Sequence, residues 1–374
     1  MARRPTTIET LAIAALALWL GGCGPADPPQ FQLNTEGREP DSIGRSQREA
    51  ILGALDRLYG TPDEPRVPRD VRLDLDRLRV AAGPTFGDEQ GRRFGLYRGH
   101  CARCHGIGGD GAGPAARLLN PYPRDFRQGI FKYTRTASGA KPVREDLEQT
   151  LQFGVPGTAM PSFARLADDD RANLIEYVKY LSLRGETELF LLQVVVDEDE
   201  YLPLSRSMVL EDGVLPLAEL WEGAADLVVT PPPPPPVATR EQWLASVERG
   251  REAYRNEAAR CVDCHGPEGQ GDGEEEEIHD DWNKPKAGMT ASHTRELARR
   301  FTLPVQELRP RDFTTGILRS GDRADSLYWL THIGIKGTPM PAAGPQPGVP
   351  GPLTPEEIWH VVHYIRHLAG QGKP

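Results

Sequence analysis

Four landmarks occur twice, in the same order, and constrain the fold of this 374-residue chain more than any other feature. The first is Cys-x-x-Cys-His, "CARCH" at 101–105 and "CVDCH" at 261–265. The second is "PRDFRQGIF" at 123–131 against "PRDFTTGIL" at 310–318. The third is "LQFGVPGTAMP" at 151–161 against "THIGIKGTPMP" at 331–341. The fourth, "NLIEYVKYLS" at 173–182 against "HVVHYIRHLA" at 360–369, aligns Tyr177 with Tyr364. Repetition on this scale means two copies of one domain of roughly a hundred residues, a normal domain size. The second copy is longer: His105 to Met160 is 55 positions and His265 to Met340 is 75, with the added length around 274–300.

Residues at i, i+3 and i+4 share a helix face. Two thiols so placed can bond to the edge of one flat ligand while the imidazole reaches its centre, and Cys-x-x-Cys-His is the attachment signature of c-type haem. With five Cys and nine His in the chain, composition alone would produce the pattern about 0.002 times. A zinc site needs four ligands, and each motif supplies two thiols and one imidazole. A thioredoxin-like redox pair needs a βαβ context, which is missing, and a disulfide across two residues is strained. The expectation is two covalently bound haem c groups, on Cys101 and Cys104 and on Cys261 and Cys264, with His105 and His265 facing iron.

Five methionines are present, and Met160 and Met340 share one repeat position, in "GTAMP" and "GTPMP". Each lies between its cysteine motif and its last helix, on a loop stiffened by Pro161 or Pro341. A thioether opposite imidazole favours reduced iron. Methionine as core filler does not explain the shared Gly-Thr-x-Met-Pro setting, so Met160 and Met340 are the expected second axial ligands.

Both halves resemble class I c-type cytochromes, over roughly 84–184 and 238–372. The resemblance implies a mainly α fold: two tandem domains with long Gly/Pro-rich loops, in each of which the first and last helices cross over the haem. Helices are expected at 49–59, 91–101, 168–183, 243–261 and 354–368. It implies axial pairs His105–Met160 and His265–Met340. Tyr97, Tyr177 and Tyr364 match the helix-crossing positions. The family often fixes its axial histidine through a proline carbonyl, for which Pro114 is the candidate; the second domain departs from the pattern there. Arg124 and Arg311 suit haem propionates, or pair with Asp125 and Asp312. His360, His363 and His367 read as helix-surface residues, and His279, among Glu274–277 and Asp280–281, as part of a solvated or partner-docking loop.

Around these domains, 1–22 reads as an export signal: Arg3 and Arg4, an apolar run at 11–20, then "GGC". Cys23 completes a lipobox and is the only cysteine without another use, so it is the expected lipidation site. Removing 1–22 takes away Arg3, Arg4 and Glu9, a net +1, so the charge of −10 becomes −11. An acidic chain is a poor partner for nucleic acid. The expected domains are 1–22, signal peptide; 23–83, a disordered, lipid-anchored tether of about sixty residues with one short helix; 84–184, first domain; 185–237, a linker ending in Pro231–236; and 238–374, second domain. The expected function is single-electron transfer between redox partner proteins, such as a quinol-oxidising donor and a terminal oxidase or reductase. The protein would be held at the membrane by its lipid, facing the periplasm, without catalysis of its own. A dihaem peroxidase, a thiosulfate-oxidising enzyme and the electron-outlet subunit of a larger dehydrogenase are the alternatives.

Overall fold

The computed structural model describes residues 28–35, 43–197, 204–275, 277–284, 303–321 and 323–372. The leader at 1–22, Cys23 and residues 285–302 of the insertion lie outside the described residues.

Helices carry the architecture, in two separate hydrophobic cores. The first core takes α1 (Arg45–Tyr59), α2 (Leu75–Ala81), α3 (Leu96–His100), α4 (Ala102–His105), α5 (Arg144–Phe153) and α6 (Asp168–Leu192). Its only sheet among the described residues is a ribbon of β1 (Phe86–Gly87) and β2 (Arg93–Phe94), on which Phe86 stacks on Phe94 at 4.8 Å. Asp168, Asp169 and Asp170 open α6, where acidic groups complement the helix dipole. Helix α6 then runs for 25 residues, well past the end expected at 183.

The reason α6 is so long lies in what covers it. In α1, Ile51, Leu55 and Leu58 fall one turn apart and are buried with Tyr59. Tyr180 Oη–H donates to the Tyr59 carbonyl at 2.6 Å, and the Tyr59 and Thr187 hydroxyls share a hydrogen bond of 2.8 Å. Residues 43–82 therefore belong to the folded domain, and the expectation of a free tether to 83 fails. The segment 28–35 is tied down too. Phe31 and Leu33 are buried, the Arg184 guanidinium lies 3.9 Å over the Phe31 ring, and Asn34 N–H donates to Glu188 Oε1 at 2.7 Å.

The linker expected at 185–237 is likewise structured. Glu186 and Glu188 are both buried, because each has a partner. Glu188 pairs with Arg184 at 2.8 Å, and Glu186 with Lys141 and the Trp221 indole. Helices α7 (Arg206–Met208) and α8 (Leu215–Glu222) pack on the same core, contributing Ala218 and, from the turn between them, Val209 and Val214. Beyond them Ala137 N–H donates to Leu227 O and Val229 N–H to Arg135 O, both at 2.8 Å. The polyproline run is then held by the second domain, whose Trp329 and Trp359 indoles donate at 2.8 Å to Val229 O and Pro232 O. It is a strap seated on both domains, and not a spacer.

The second core is built from α9 (Arg240–Tyr254), α10 (Cys261–His265), α11 (Ala324–Ile333) and α12 (Pro355–Leu368). The start of α12 follows its sequence signal: Thr354 caps the Glu357 N–H, Glu357 reaches back, and Pro355 occupies the first turn. Helices α9 and α12 cross at Gly250, where a Cβ would stand 2.0 Å from the His360 carbonyl oxygen. Only glycine fits that approach.

His360 and His363 are not on the helix surface as expected. Both are buried, and their Nδ1 atoms flank the Ser246 hydroxyl at 2.6 and 2.7 Å. A hydroxyl has one proton, so Ser246 donates to one imidazole and accepts from the other.

Candidate functional site

The signature Cys-x-x-Cys-His forms a helical turn in both copies. In the first domain Cys101, Cys104, His105 and Met160 all line one cleft, as their spacing requires. Counted out to its open mouth, the cleft holds ≈ 1290 Å³. Its walls are largely apolar, with Phe126, Leu147, Leu151, Val155, Leu174 and Val178 among them. Burial pushes the Cys101 thiol up to about 12 and Cys261 up to about 11. Neither is poised as a thiolate, the form that binds zinc.

Each axial candidate is oriented by a backbone carbonyl. His105 Nδ1–H donates to Arg124 O at 3.0 Å, and His265 Nδ1–H to Arg311 O at 3.1 Å. A carbonyl only accepts, so Nδ1 carries the proton and Nε2 keeps its lone pair for a metal. Burial, the largest effect on both, lowers the pKa of each imidazole and keeps it neutral. Phe126 and Phe313 stack on the two rings at 4.5 and 4.6 Å. The orienting carbonyl therefore comes from the arginine of "PRDF" in both domains, and Pro114 does not serve. A tight loop spaced from the histidine by different lengths, 19 and 46 residues, reaches the same place.

The methionine loops are equally alike. Met160 N–H donates to Thr158 Oγ1 at 3.1 Å and Met340 N–H to Thr338 Oγ1 at 3.2 Å. The Met carbonyls accept from Val155 and Ile335 N–H at 3.1 Å each. The tyrosines repeat as well: Tyr97 Oη–H donates to Gly106 O and Tyr254 Oη–H to Gly266 O, at 2.9 and 2.7 Å. Tyr97 then packs on Tyr177 at 4.9 Å, and Tyr254 on Tyr364 at 5.3 Å. Tyr254 is the counterpart of Tyr97, with three more residues between it and its cysteine motif. The turn at Arg260, with φ +52°, absorbs them.

The cleft suits haem on two further grounds. Haem brings two carboxylates, and Arg124, which lines the cleft, has a buried Nη1 without a hydrogen-bond partner among the described residues. Asp125, the other partner considered for Arg124, is bound by Arg127 at 2.7 Å. In the second domain Arg311 uses its guanidinium locally, on Asp312 O and Thr315 Oγ1.

The insertion closes this cleft from the other domain. Trp282 lines it and stacks on Arg124, whose guanidinium carbon lies 3.8 Å from the ring centroid. Beside them, buried Asp280 pairs with Lys132 at 2.7 Å, and His279 Nδ1–H donates to Gln306 O at 2.9 Å. Residues 279–282 are thus a docked contact between the two domains, where a solvated or partner-docking loop was expected. Lys336 extends the contact: its ammonium donates to Thr136 Oγ1 and Ala140 O at 2.9 and 2.8 Å.

Comparison with known proteins follows the repeat. The family model "Cytochrome c" matches residues 94–182 and again 247–369. A solved chain of the Kuenenia stuttgartiensis reducing HAO-like protein complex Kustc0457/Kustc0458 is similar, with 26% identity and a TM-score of 0.50. The similarity covers 76% of this chain and 97% of that one. No curated protein matches the sequence.

Proposed function

The chain belongs to the cytochrome c family, with two haem c domains in one polypeptide, and from that premise we propose that it relays single electrons between redox partner proteins. Haem c supplies an iron that takes up and gives off one electron. Cys101, Cys104, His105 and Met160 would hold the first, and Cys261, Cys264, His265 and Met340 the second. The observation carrying this reading is the identical pinning of the two methionine loops, matched within 0.1 Å in both domains. With two protein ligands each, the irons would have no position left for a substrate, and the chain would act as a carrier. The axial thioether raises the potential relative to a second imidazole.

The partner is a redox protein that docks on this chain, free or as a fixed companion. Support comes from the similar solved chain, which belongs to a complex of two named proteins. A quinol-oxidising donor and a terminal oxidase or reductase suit a carrier outside the cytoplasmic membrane.

Lipidation at Cys23 would place it there. Phe31, which is buried, lies eight positions after Cys23, a reach of at most about 28 Å of extended chain. The protein is then held close to the bilayer, in place of swinging on the sixty-residue tether. A Cys23→Ser protein recovered in the membrane fraction would overturn the anchor.

The oxidised protein is expected to show a near-infrared sulfur-to-iron band from both haems. Met160→Ala and Met340→Ala should each remove about half of it, lower one midpoint potential and open that iron to carbon monoxide. A high-spin wild-type haem, or rapid peroxide turnover, would overturn the carrier reading.

A further inference from the structure

Arg124 is used three times. Its carbonyl accepts from the axial candidate His105 at 3.0 Å. Its Nη2 crosses to the other domain and donates to Lys336 O at 3.1 Å, four residues before Met340 in the second methionine loop. Its Nη1 is buried, without a hydrogen-bond partner among the described residues, in a side chain that lines the first cleft. Trp282 stacked on one face keeps the guanidinium in place, a geometry that suits arginine and not lysine. Gly337 completes the seat: a Cβ there would stand 2.9 Å from Nη1 and 3.1 Å from the Trp282 ring.

We infer that Arg124 is the positioning residue that couples the two haem sites, holding the first axial imidazole by its carbonyl, a carboxylate of the first haem by Nη1 and the second methionine loop by Nη2. The coupling is mechanical and electrostatic together. A change of charge at the first iron acts on the carboxylate held by Nη1, and through the rigid guanidinium on the loop that presents Met340. The reverse path is equally available, since coupling between two sites is reciprocal.

Arg311 offers an internal contrast. Its carbonyl holds His265, and it meets the first methionine loop at Gly157, where a Cβ would stand 3.1 Å from its Nη1. Its hydrogen bonds stay within its own loop, to Asp312 O and Thr315 Oγ1. Among the described residues, Arg124 is thus the arginine of the two that hydrogen-bonds to the opposite methionine loop.

The inference rests on His/Met ligation of both irons, and potentiometric titration of the full holoprotein separates the two claims. Met160→Ala and Met340→Ala assign the two midpoints; if neither variant moves a midpoint, the ligand reading fails by itself. With the midpoints assigned, Arg124→Met should lower the first, because a cation near the iron is lost, and also shift the second. Arg124→Lys keeps the charge and loses the fork, so the second midpoint should move while the first stays near its wild-type value. Arg311→Lys should leave the first midpoint unchanged. If Arg124→Met does not mature, Trp282→Ala unseats the guanidinium from the opposite domain, and the second midpoint should again shift. A second midpoint unmoved in Arg124→Lys and in Trp282→Ala overturns the coupling, as does a shift of both midpoints in Arg311→Lys.

Discussion

The Arg124 carbonyl accepts the Nδ1 proton of His105 at 3.0 Å, and this bond sets which imidazole nitrogen is free to bind iron. The His265–Arg311 pair repeats it. In the reduced, diamagnetic protein both Nδ1 protons should give resolved proton NMR signals that exchange slowly with solvent. Rapid exchange of either would mean that its carbonyl is not the partner.

Thr158 and Thr338 each act twice within a methionine loop, donating to Val155 O or Ile335 O and accepting from the Met N–H. Thr158→Val keeps the shape and loses both bonds. The expected cost is about 1 kcal/mol on that loop, a roughly fivefold faster displacement of Met160 by carbon monoxide. Thr338→Val should do the same at Met340, and a rate equal to wild type would refute the role.

Lys132 and Asp280 form a buried pair across the domains, with side chains 13% and 4% exposed. Asp280→Ala strands the ammonium, at a cost of about 3–5 kcal/mol. Chemical denaturation should show the two domains unfolding in separate steps. Lys132→Met with Asp280→Leu should restore most of the loss, since apolar pairs replace buried ion pairs well.

His363 titrates far below an ordinary histidine, at about 4, mainly through burial, with charge on His360 and Arg366 adding to it. Arg249, Glu356 and Glu357 bear on its neighbour His360. Its folded pKa is depressed below the unfolded value of 6.5, so the unfolded chain takes up the proton first as pH falls. Stability is thus complete above pH 6.5 and is lost as pH falls from 6.5 toward about 4. Calorimetry across that range should show the second domain melting earlier, and His363→Gln should flatten the slope. An unchanged slope in the variant would locate the titration elsewhere.

The candidate ligands stood out in the sequence because their chemistry is local: two thiols and an imidazole within one turn, and a methionine in a repeated five-residue frame. The carbonyl that orients each histidine was not. It belongs to a loop 19 residues away in one domain and 46 in the other, and backbone carbonyls leave no mark on residue identity. The burial of residues 186 and 188 was not legible either. Glutamates normally mark solvent, and only the tertiary fold brings Lys141 and Arg184 to bury them. Trp282 lay in a segment whose acidic composition outweighed its one aromatic ring.

Gly157 meets Arg311 and Gly337 meets Arg124, so each domain offers the same two patches to the other. That reciprocity is the hallmark of a two-fold homodimer, in which one self-complementary face serves both partners. Fusion into one polypeptide makes the association independent of protein concentration. It also lets the halves diverge, since Trp282 was free to grow over one cleft without appearing on the other. A symmetric pair has no inside direction for an electron, and this chain, by departing from symmetry at one face, has acquired two haem sites that need not be equivalent.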